Sequence, residues 1–314
     1  MIAATIVEPG RVEPHEHPDP VAGNAEVLVR VRAAGLNRVD LMQVAGRYPV
    51  PPGVPPDIPG VELAGEVAAT GPGAARFSPG ERVMAIVGGG AQAELAVVHE
   101  RQLMPVPDSL GWQAAGAFPE AFTTAHDALF TQCALAPGER LLVHGGAGGV
   151  GTAAIQLGAL AGCEVFATVR DPAQRAAVAQ LGATVLAPDE FTDQGPFDVI
   201  LELVGAPNIP ANLAALAPLG RISVIGTAAG RTAELDLGAL MDKRATVHGS
   251  TLRFRSPEDK AAAARAVERH VLPALASGAI RVPIEEAFPL AEVAAAYARL
   301  AAGRKLGKVV LTVS

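Results

Sequence analysis

A chain of 314 residues is longer than one hydrophobic core usually serves, so two domains are expected. Half of the residues are hydrophobic and 18% are charged, which excludes a disordered chain and allows a large core. The formal net charge of −7 excludes the basic footprint of a nucleic-acid or anionic-membrane binder. The opening stretch, MIAATIVEPGRVEP, has no basic region followed by a long apolar run, so no signal peptide is predicted. Cys133 and Cys163 are the only cysteines, too few for a disulfide framework, which predicts a reducing, cytoplasmic location.

Residues 1 to about 100 read as β-rich. Alternating or β-branched runs at 3–7, 26–33, 63–69 and 93–98 are separated by Pro and Gly turns, which suits a compact antiparallel barrel or sandwich. Between the strands, LNRVDLMQVAG at 36–46 has the pattern of a short helix. A stiff loop follows, with six of the 26 prolines inside 49–59, as the rim of a cleft requires. His15 and His17 form the only close histidine pair; without a third ligand pattern they read as part of a solvated loop.

A helix-like segment at 114–134 leads into RLLVHGGAGGVGTAAIQLGALAGCEVFATVRD at 140–171. This stretch has the order strand, glycine turn, helix, strand. Leu141 to Val143 suit a strand buried on both faces, and the run ends in G-x-G-x-x-G at Gly146, Gly148 and Gly151. The first glycine permits a tight turn, the second lets a pyrophosphate approach the backbone, and the third brings the helix close to the strand. Helical spacing from Val150 onward points free N–H groups and the positive helix end at the phosphates. The stretch therefore predicts dinucleotide binding rather than a structural glycine turn, and its glycines and polar residues argue against a membrane span.

Alternating α and β patterns then continue: helices at 172–181 and 207–216, strands at 183–186, 198–204, 221–226 and 245–249. This is a doubly wound parallel arrangement. An Ala-rich helix at 257–277, a second helix at 290–302 and a strand at 308–313 lie outside that count, so they are expected to return to the first domain.

Six segments together carry a resemblance that spans the chain: AAGLNRVDLMQVAGRYPVPPG at 33–53, GVELAGEV at 60–67, PGERVMA at 79–85, PEAFTTAHDAL at 119–129, VHGGAGGVGTAAIQL at 143–157 and LGKVVL at 306–311. The sequence resembles the medium-chain dehydrogenase/reductase superfamily, and within it the zinc-independent NADPH:quinone oxidoreductases. The resemblance implies an α/β protein with a GroES-like β-barrel catalytic domain at 1–117 and 254–314. A doubly wound Rossmann domain at 118–253 would bind NADPH, with a cleft between the two domains and commonly a homodimer. Zinc-dependent relatives carry a thiolate and an imidazole where this chain has Asn37 and Val61, which suit zinc poorly, so no metal is expected. Glu62 survives as one carboxylate with no partner and reads as structural.

By the same resemblance, Asn37 and Thr124 lie near the nicotinamide, Asp40 holds Asn37 or a nearby arginine in place, and Tyr48 is a cleft tyrosine. Tyr48 would stack on the acceptor or donate a hydrogen bond to it; packing at the loop base is the alternative. Gly146, Ala147, Gly148, Gly149, Val150 and Gly151 should cradle the pyrophosphate. Gly226 and Thr227 fall at a strand's carboxyl end, where this fold binds ligands. The Gly249 to Arg253 stretch, GSTLR, with Ser250 and Leu252, should border the nicotinamide and substrate, and Lys308 would make a late contact across the cleft. Pro188 stands near where relatives often have an aromatic that contacts the adenosine phosphate.

Cofactor choice turns on the end of the second strand of the nucleotide unit. Val169 takes the position of the acidic residue that selects NAD, whereas Arg170, assisted by Arg175, suits a 2′-phosphate. Asp171 would favour NADH if the strand ran one or two residues further. The expected activity is hydride transfer from NADPH to a quinone or similar conjugated carbonyl, a small-molecule acceptor already polarised enough to need no metal. An enoyl or enone C=C reductase, or a cofactor-binding protein with little turnover, are the alternatives. A homodimer would join at the sheet edge near residues 245–249.

Overall fold

The computed structural model describes all 314 residues, and they divide into two compact units, Met1–Thr123 with Leu252–Ser314, and Thr124–Thr251. Each unit has its own buried apolar cluster.

The first unit begins with β1 (Ile2–Glu8) and β2 (Arg11–Glu16), an antiparallel pair. The histidine segment is therefore partly strand and not a loop. His17 lies just beyond β2, and its Nε2 meets Thr5 Oγ1 at 2.7 Å. Polar residues at 13–17 conceal this strand because β2 packs little of its length against the core. β3 (Glu26–Leu36) alternates inward and outward until residue 33 and is then buried on both faces. It pairs with β4 (Glu62–Thr70), and its continuation past residue 33 reflects pairing with the chain's last strand. Between them lies α1 (Arg38–Val44), followed by the proline loop. β5 (Arg82–Ile86), β6 (Leu95–His99) and β7 (Met104–Pro105) complete the antiparallel part. The segment expected as one helix over 114–134 is instead α2 (Trp112–Ala117) and α3 (Pro119–His126), broken before Pro119, followed by a π-helical stretch at Asp127–Gln132.

In the second unit, β8 (Arg140–His144), α4 (Gly149–Leu160) and β9 (Glu164–Thr168) form the βαβ unit around the glycine turn. α5 (Pro172–Ala179), β10 (Thr184–Leu186), β11 (Phe197–Glu202), α6 (Ile209–Ala214), β12 (Leu216–Val224), α7 (Leu237–Lys243) and β13 (Thr246–Gly249) follow. The six strands are all parallel, in the order β10-β9-β8-β11-β12-β13. Renumbered within the unit this is 3-2-1-4-5-6, the doubly wound order whose direction reverses between β8 and β11. Leu141, Leu142, Val143, Ile200 and Leu201 are wholly buried because helices cover both faces of such a sheet.

The chain then returns to the first unit. The helix expected over 257–277 is split into α8 (Pro257–His270) and α9 (Leu272–Ala276), because Pro273 offers no N–H to the turn before it. β14 (Ile284–Pro289), α10 (Val293–Ala302) and β15 (Lys308–Thr312) close the chain, with β15 lying between β14 and β3 in a seven-stranded sheet. No helix is long and apolar enough to cross a membrane.

Candidate active site

β3 runs directly into α1, and Asn37 stands at the joint as N-cap with extended backbone. Its N–H donates to Asp40 Oδ2 at 2.7 Å, so Asp40 positions Asn37 through the first turn of the helix. Glu62, fully buried at the start of β4, accepts from Asn37 Nδ2 at 2.9 Å and from the Glu120 N–H at 2.8 Å. Lys308, the first residue of β15, places its ammonium 2.6 Å from Glu62 Oε1 and donates also to Asn37 Oδ1. The expectation that Glu62 lacks a partner is thus corrected: its counter-charge arrives from the far end of the sequence, on a strand that must first pair with β3. Gly35 permits this closure, since a Cβ there would lie 2.2 Å from Glu62 Oε1.

Asp40 is itself fully buried. Burial pushes its carboxyl up to about 7, against the opposing pull of the Asn37 N–H and the Lys308 charge. Its second oxygen, Oδ1, has no partner in the protein. Gln92 Nε2 lies 3.4 Å from Oδ2, and Gln92 Oε1 accepts from the Tyr297 hydroxyl at 2.9 Å. Burial raises the Tyr297 phenol well above its ordinary range, so it serves as a hydrogen-bond donor.

Tyr48 is half-buried in the loop after α1. Its ring lies 5.7 Å from that of Phe254, and the Arg253 guanidinium sits 4.8 Å above its centroid. Arg253 donates to Gly88 O at 2.8 Å and to Gln43 Oε1 at 2.6 Å, while Nη1 is buried without a partner. Desolvation pulls the Arg253 pKa down from its ordinary value. Gln43 Nε2 reaches Pro56 O at 3.4 Å, tying α1 to the proline loop. The sequence marks the GSTLR stretch that ends in Arg253 without giving Arg253 a role of its own, and it does not mark Gln43, Gln92 or Tyr297. The available signal was polar residues inside otherwise apolar elements.

In the second unit, the glycine turn leaves β8 at His144. The Gly146 N–H donates to Thr168 O at 3.0 Å, and a Cβ at Gly146 would meet the Ala167 Cβ at 2.9 Å. Gly148 caps α4 with extended backbone, and Ala147 to Val150 are partly exposed at the helix start, where four N–H groups lack intrahelical partners. A Cβ at Gly151 would sit 2.4 Å from Gly145 O. These close approaches fit a pyrophosphate cradle.

β9 ends at Thr168; Val169 is buried, with its N–H on Leu186 O at 2.9 Å, and Arg170 is exposed beyond it. Asp171 is the N-cap of α5 and accepts from the Ala173 N–H at 3.1 Å, while Arg175 Nε donates back to Val169 O at 3.1 Å. Gly226 follows β12, its N–H on Glu202 O at 3.0 Å, and Thr227 comes next in the same turn. Ser250 Oγ donates to Asp127 Oδ2 at 3.1 Å. Thr124 is buried in α3, and Leu252 is half-buried at the start of the returning segment. The structure thus gathers Asn37, Asp40 and Lys308 into one cluster of the first unit, and sets the glycines and the Arg170–Arg175 segment at the ends of the neighbouring strands β8 and β9 of the second. No group of three or more His, Cys, Asp or Glu side chains is arranged to hold a metal ion.

The profile of the alcohol dehydrogenase GroES-like domain matches residues 23–108, and that of the zinc-binding dehydrogenase domain matches 149–269. A quinone oxidoreductase of Pseudomonas aeruginosa is 34% identical over 303 residues, covering 92% of this chain and 91% of its own. The chain belongs to the medium-chain dehydrogenase/reductase superfamily, among its quinone oxidoreductases. It is an oxidoreductase. A human quinone oxidoreductase of the superfamily is 28% identical across 93% of this chain and 90% of its own. Among solved structures, a quinone oxidoreductase of Pseudomonas syringae superposes with a TM-score of 0.86 at 30% identity, covering 99% of this chain and 98% of its own. A mycobacterial protein complexed with NADPH superposes at 0.87, with 29% identity over 99% of this chain and all of its own. Polyketide synthases also match: one of Streptomyces halstedii is 32% identical over 92% of this chain, which corresponds to 5% of that protein.

Proposed function

We propose that this oxidoreductase uses NADPH and reduces a quinone or similar conjugated carbonyl. The observation that carries the cofactor choice is the end of β9. An NAD-type site presents a carboxylate to the ribose hydroxyls there, whereas this chain has the apolar Val169, and Asp171 is turned away into capping α5. Arg170 stands exposed beside it, and Arg175 secures Val169 by its carbonyl. A guanidinium at that place supplies charge-assisted, bidentate hydrogen bonds to a 2′-phosphate. The glycine cradle from Gly146 to Gly151 would hold the pyrophosphate, with Gly226, Thr227 and Ser250 at neighbouring strand ends. When bound, the nicotinamide supplies the hydride.

The protein's share is orientation. Asn37, held at its N–H by Asp40 and at its amide by Glu62 and Lys308, is a fixed polar group, and Thr124 is proposed as a cofactor-binding hydroxyl. Tyr48, braced by Arg253 and Phe254, offers a ring for stacking on a planar acceptor and a hydroxyl for hydrogen bonding. Leu252 would contribute apolar surface to the acceptor.

A panel of quinones, enals and enoyl thioesters, run with NADPH and with NADH, tests the proposal. Quinone-dependent oxidation of NADPH is expected; NADPH binding without turnover on any acceptor would overturn it in favour of a binding protein. Similarity to stretches of polyketide synthases favours a second reading, reduction of an enoyl C=C bond, in which a proton must reach the carbon α to the carbonyl. Preferential turnover of enoyl thioesters would select it.

We also assign a homodimer. β13 is the edge of the parallel sheet, and nearby α7 exposes Leu237 at 65% and Met241 at 76%. Unpaired strand edges and exposed large apolar side chains favour a second copy. Cys133 and Cys163 are unpaired, which accords with a cytoplasmic setting.

A further inference from the structure

Behind the glycine turn, four buried polar side chains from four different elements form one unbroken line. Glu202, the last residue of β11, is fully buried, and His144 Nε2 lies 3.9 Å from its Oε2, beyond hydrogen-bond reach. Its Oε1 accepts from the N–H groups of Val204 at 2.6 Å and Gly205 at 2.7 Å, with Asn208 Nδ2 at 3.3 Å. Its Oε2 accepts from Asn212 Nδ2 at 2.8 Å. Asn212 Oδ1 lies 2.7 Å from His144 Nε2, and His144 Nδ1 lies 3.0 Å from Thr168 Oγ1.

Only one polarity satisfies every member. A carboxylate only accepts, so Asn212 must turn its NH2 toward Glu202 and its carbonyl toward the histidine. His144 is then the neutral Nε2–H tautomer, and Nδ1 accepts from the Thr168 hydroxyl. Burial also depresses the His144 pKa, against the opposing pull of Glu202 and of the Asn212 hydrogen bond.

Both ends of the line touch the glycine turn. The Thr168 carbonyl holds the Gly146 N–H at 3.0 Å, and His144 is the residue immediately before Gly145. The turn that Glu202 clamps packs beside Gly145, whose Cβ would lie 3.6 Å from Val204 and 3.7 Å from Leu203. The Glu202 carbonyl accepts from Ile225 at 2.9 Å and Gly226 at 3.0 Å, so the end of β12 is tied in too.

We infer that Glu202 is a positioning residue for dinucleotide binding: through Asn212, His144 and Thr168, and through the 203–205 turn, its carboxylate sets the place of the Gly145–Gly151 cradle. The inference rests on the proposed use of a nicotinamide dinucleotide.

Glu202→Gln tests it without changing shape. To accept the Val204 and Gly205 N–H groups with its carbonyl, the new amide must aim its NH2 at Asn212, which must then turn its own carbonyl toward it. The whole line reverses, and His144 becomes the Nδ1–H tautomer. ¹⁵N NMR of the His144 ring should show Nε2–H in the wild type throughout pH 5.5–8 and Nδ1–H in E202Q. The NADPH dissociation constant should rise about tenfold in E202Q, with kcat at saturating NADPH within about twofold of wild type. Asn212→Leu breaks the line at another member and should weaken NADPH similarly, which keeps the test decisive if E202Q folds poorly. A reversed tautomer with unchanged NADPH affinity would overturn the inference, leaving the line a core strut. A wild-type His144 that titrates near its ordinary value, or is already Nδ1–H, would overturn the polarity on which it depends. A wild-type chain that binds neither NADPH nor NADH refutes the cofactor reading, while the tautomer reversal separately decides whether Glu202 governs the line.

Discussion

Arg170 and Lys308 show how differently two cations act when one is exposed and the other enclosed. Arg170 is exposed beyond the end of β9, so its loss should leave the fold intact and register in binding. Arg170→Ala should raise the Michaelis constant for NADPH about tenfold or more and leave that for NADH nearly unchanged, since a lost charged hydrogen bond costs roughly 1.5–3 kcal/mol. Equal effects on both cofactors in initial-rate kinetics would reject the 2′-phosphate contact. Lys308 is buried against Glu62, and Lys308→Met leaves a carboxylate enclosed without its counter-charge. A loss of about 3–5 kcal/mol in urea unfolding is expected, largely restored in Lys308→Met with Glu62→Gln, because the cost lies in the orphaned charge. Asp40 gives a pH signature of the opposite sense to most carboxylates. Burial raises its folded pKa to about 7, above the ordinary 3.8 of the unfolded chain, so between these values the folded chain keeps a proton that the unfolded chain has released. Stability from this group therefore falls as pH rises through that window, by at most about 1.4 kcal/mol per pH unit. Asp40→Asn should flatten that part of the stability profile; an unchanged slope would show that Asp40 is ionised throughout.

At the level of elements, the glycine turn separates what the fold needs from what a ligand needs. At Gly151 a Cβ would strike the Gly145 backbone, so Gly151→Ala must push α4 off the turn and should lower both the melting temperature and dinucleotide affinity. At Gly148 a Cβ would make only ordinary contact, 3.5 Å from Gly145 O, with φ at −74°. Gly148→Ala should accordingly melt with the wild type yet bind NADPH at least tenfold more weakly; unaltered affinity in a fluorescence titration would move the pyrophosphate elsewhere. These elements were legible because their period and punctuation are local: buried parallel strands read as apolar runs, and the glycines fall at fixed spacing. β2 and β14 were not legible, since each is partly exposed and polar and is made a strand by its partner, β1 or β15. The same holds within the site. Asn37, Asp40 and Lys308 carry motif signals, but the Glu62–Lys308 pair, the Arg253 stack on Tyr48 and the Glu202–Asn212–His144 line join residues distant in sequence, and no periodicity announces them.

For the whole molecule, the proposed assembly and the order of the chain each have consequences. If a second copy covers the β13 edge, Leu237→Glu with Met241→Glu should convert a dimer into a monomer by light scattering at micromolar concentration, without loss of helical circular dichroism. A wild-type monomer would reject the assignment. The second unit interrupts the first in sequence, so the first needs residues from both sides of the interruption. During translation, Asn37 emerges 271 residues before the ammonium that pairs with it. At about 5–20 residues per second this is a delay of roughly 15–50 s, during which Glu62 has no counter-charge and β3 lacks its β15 neighbour. Nascent chains stalled with residues 1–251 outside the ribosome should therefore resist protease over 124–251 while remaining cleavable over 1–123. The second unit is then the part of this enzyme that the cell can finish first, and the half-made remainder is what a chaperone would have to shelter.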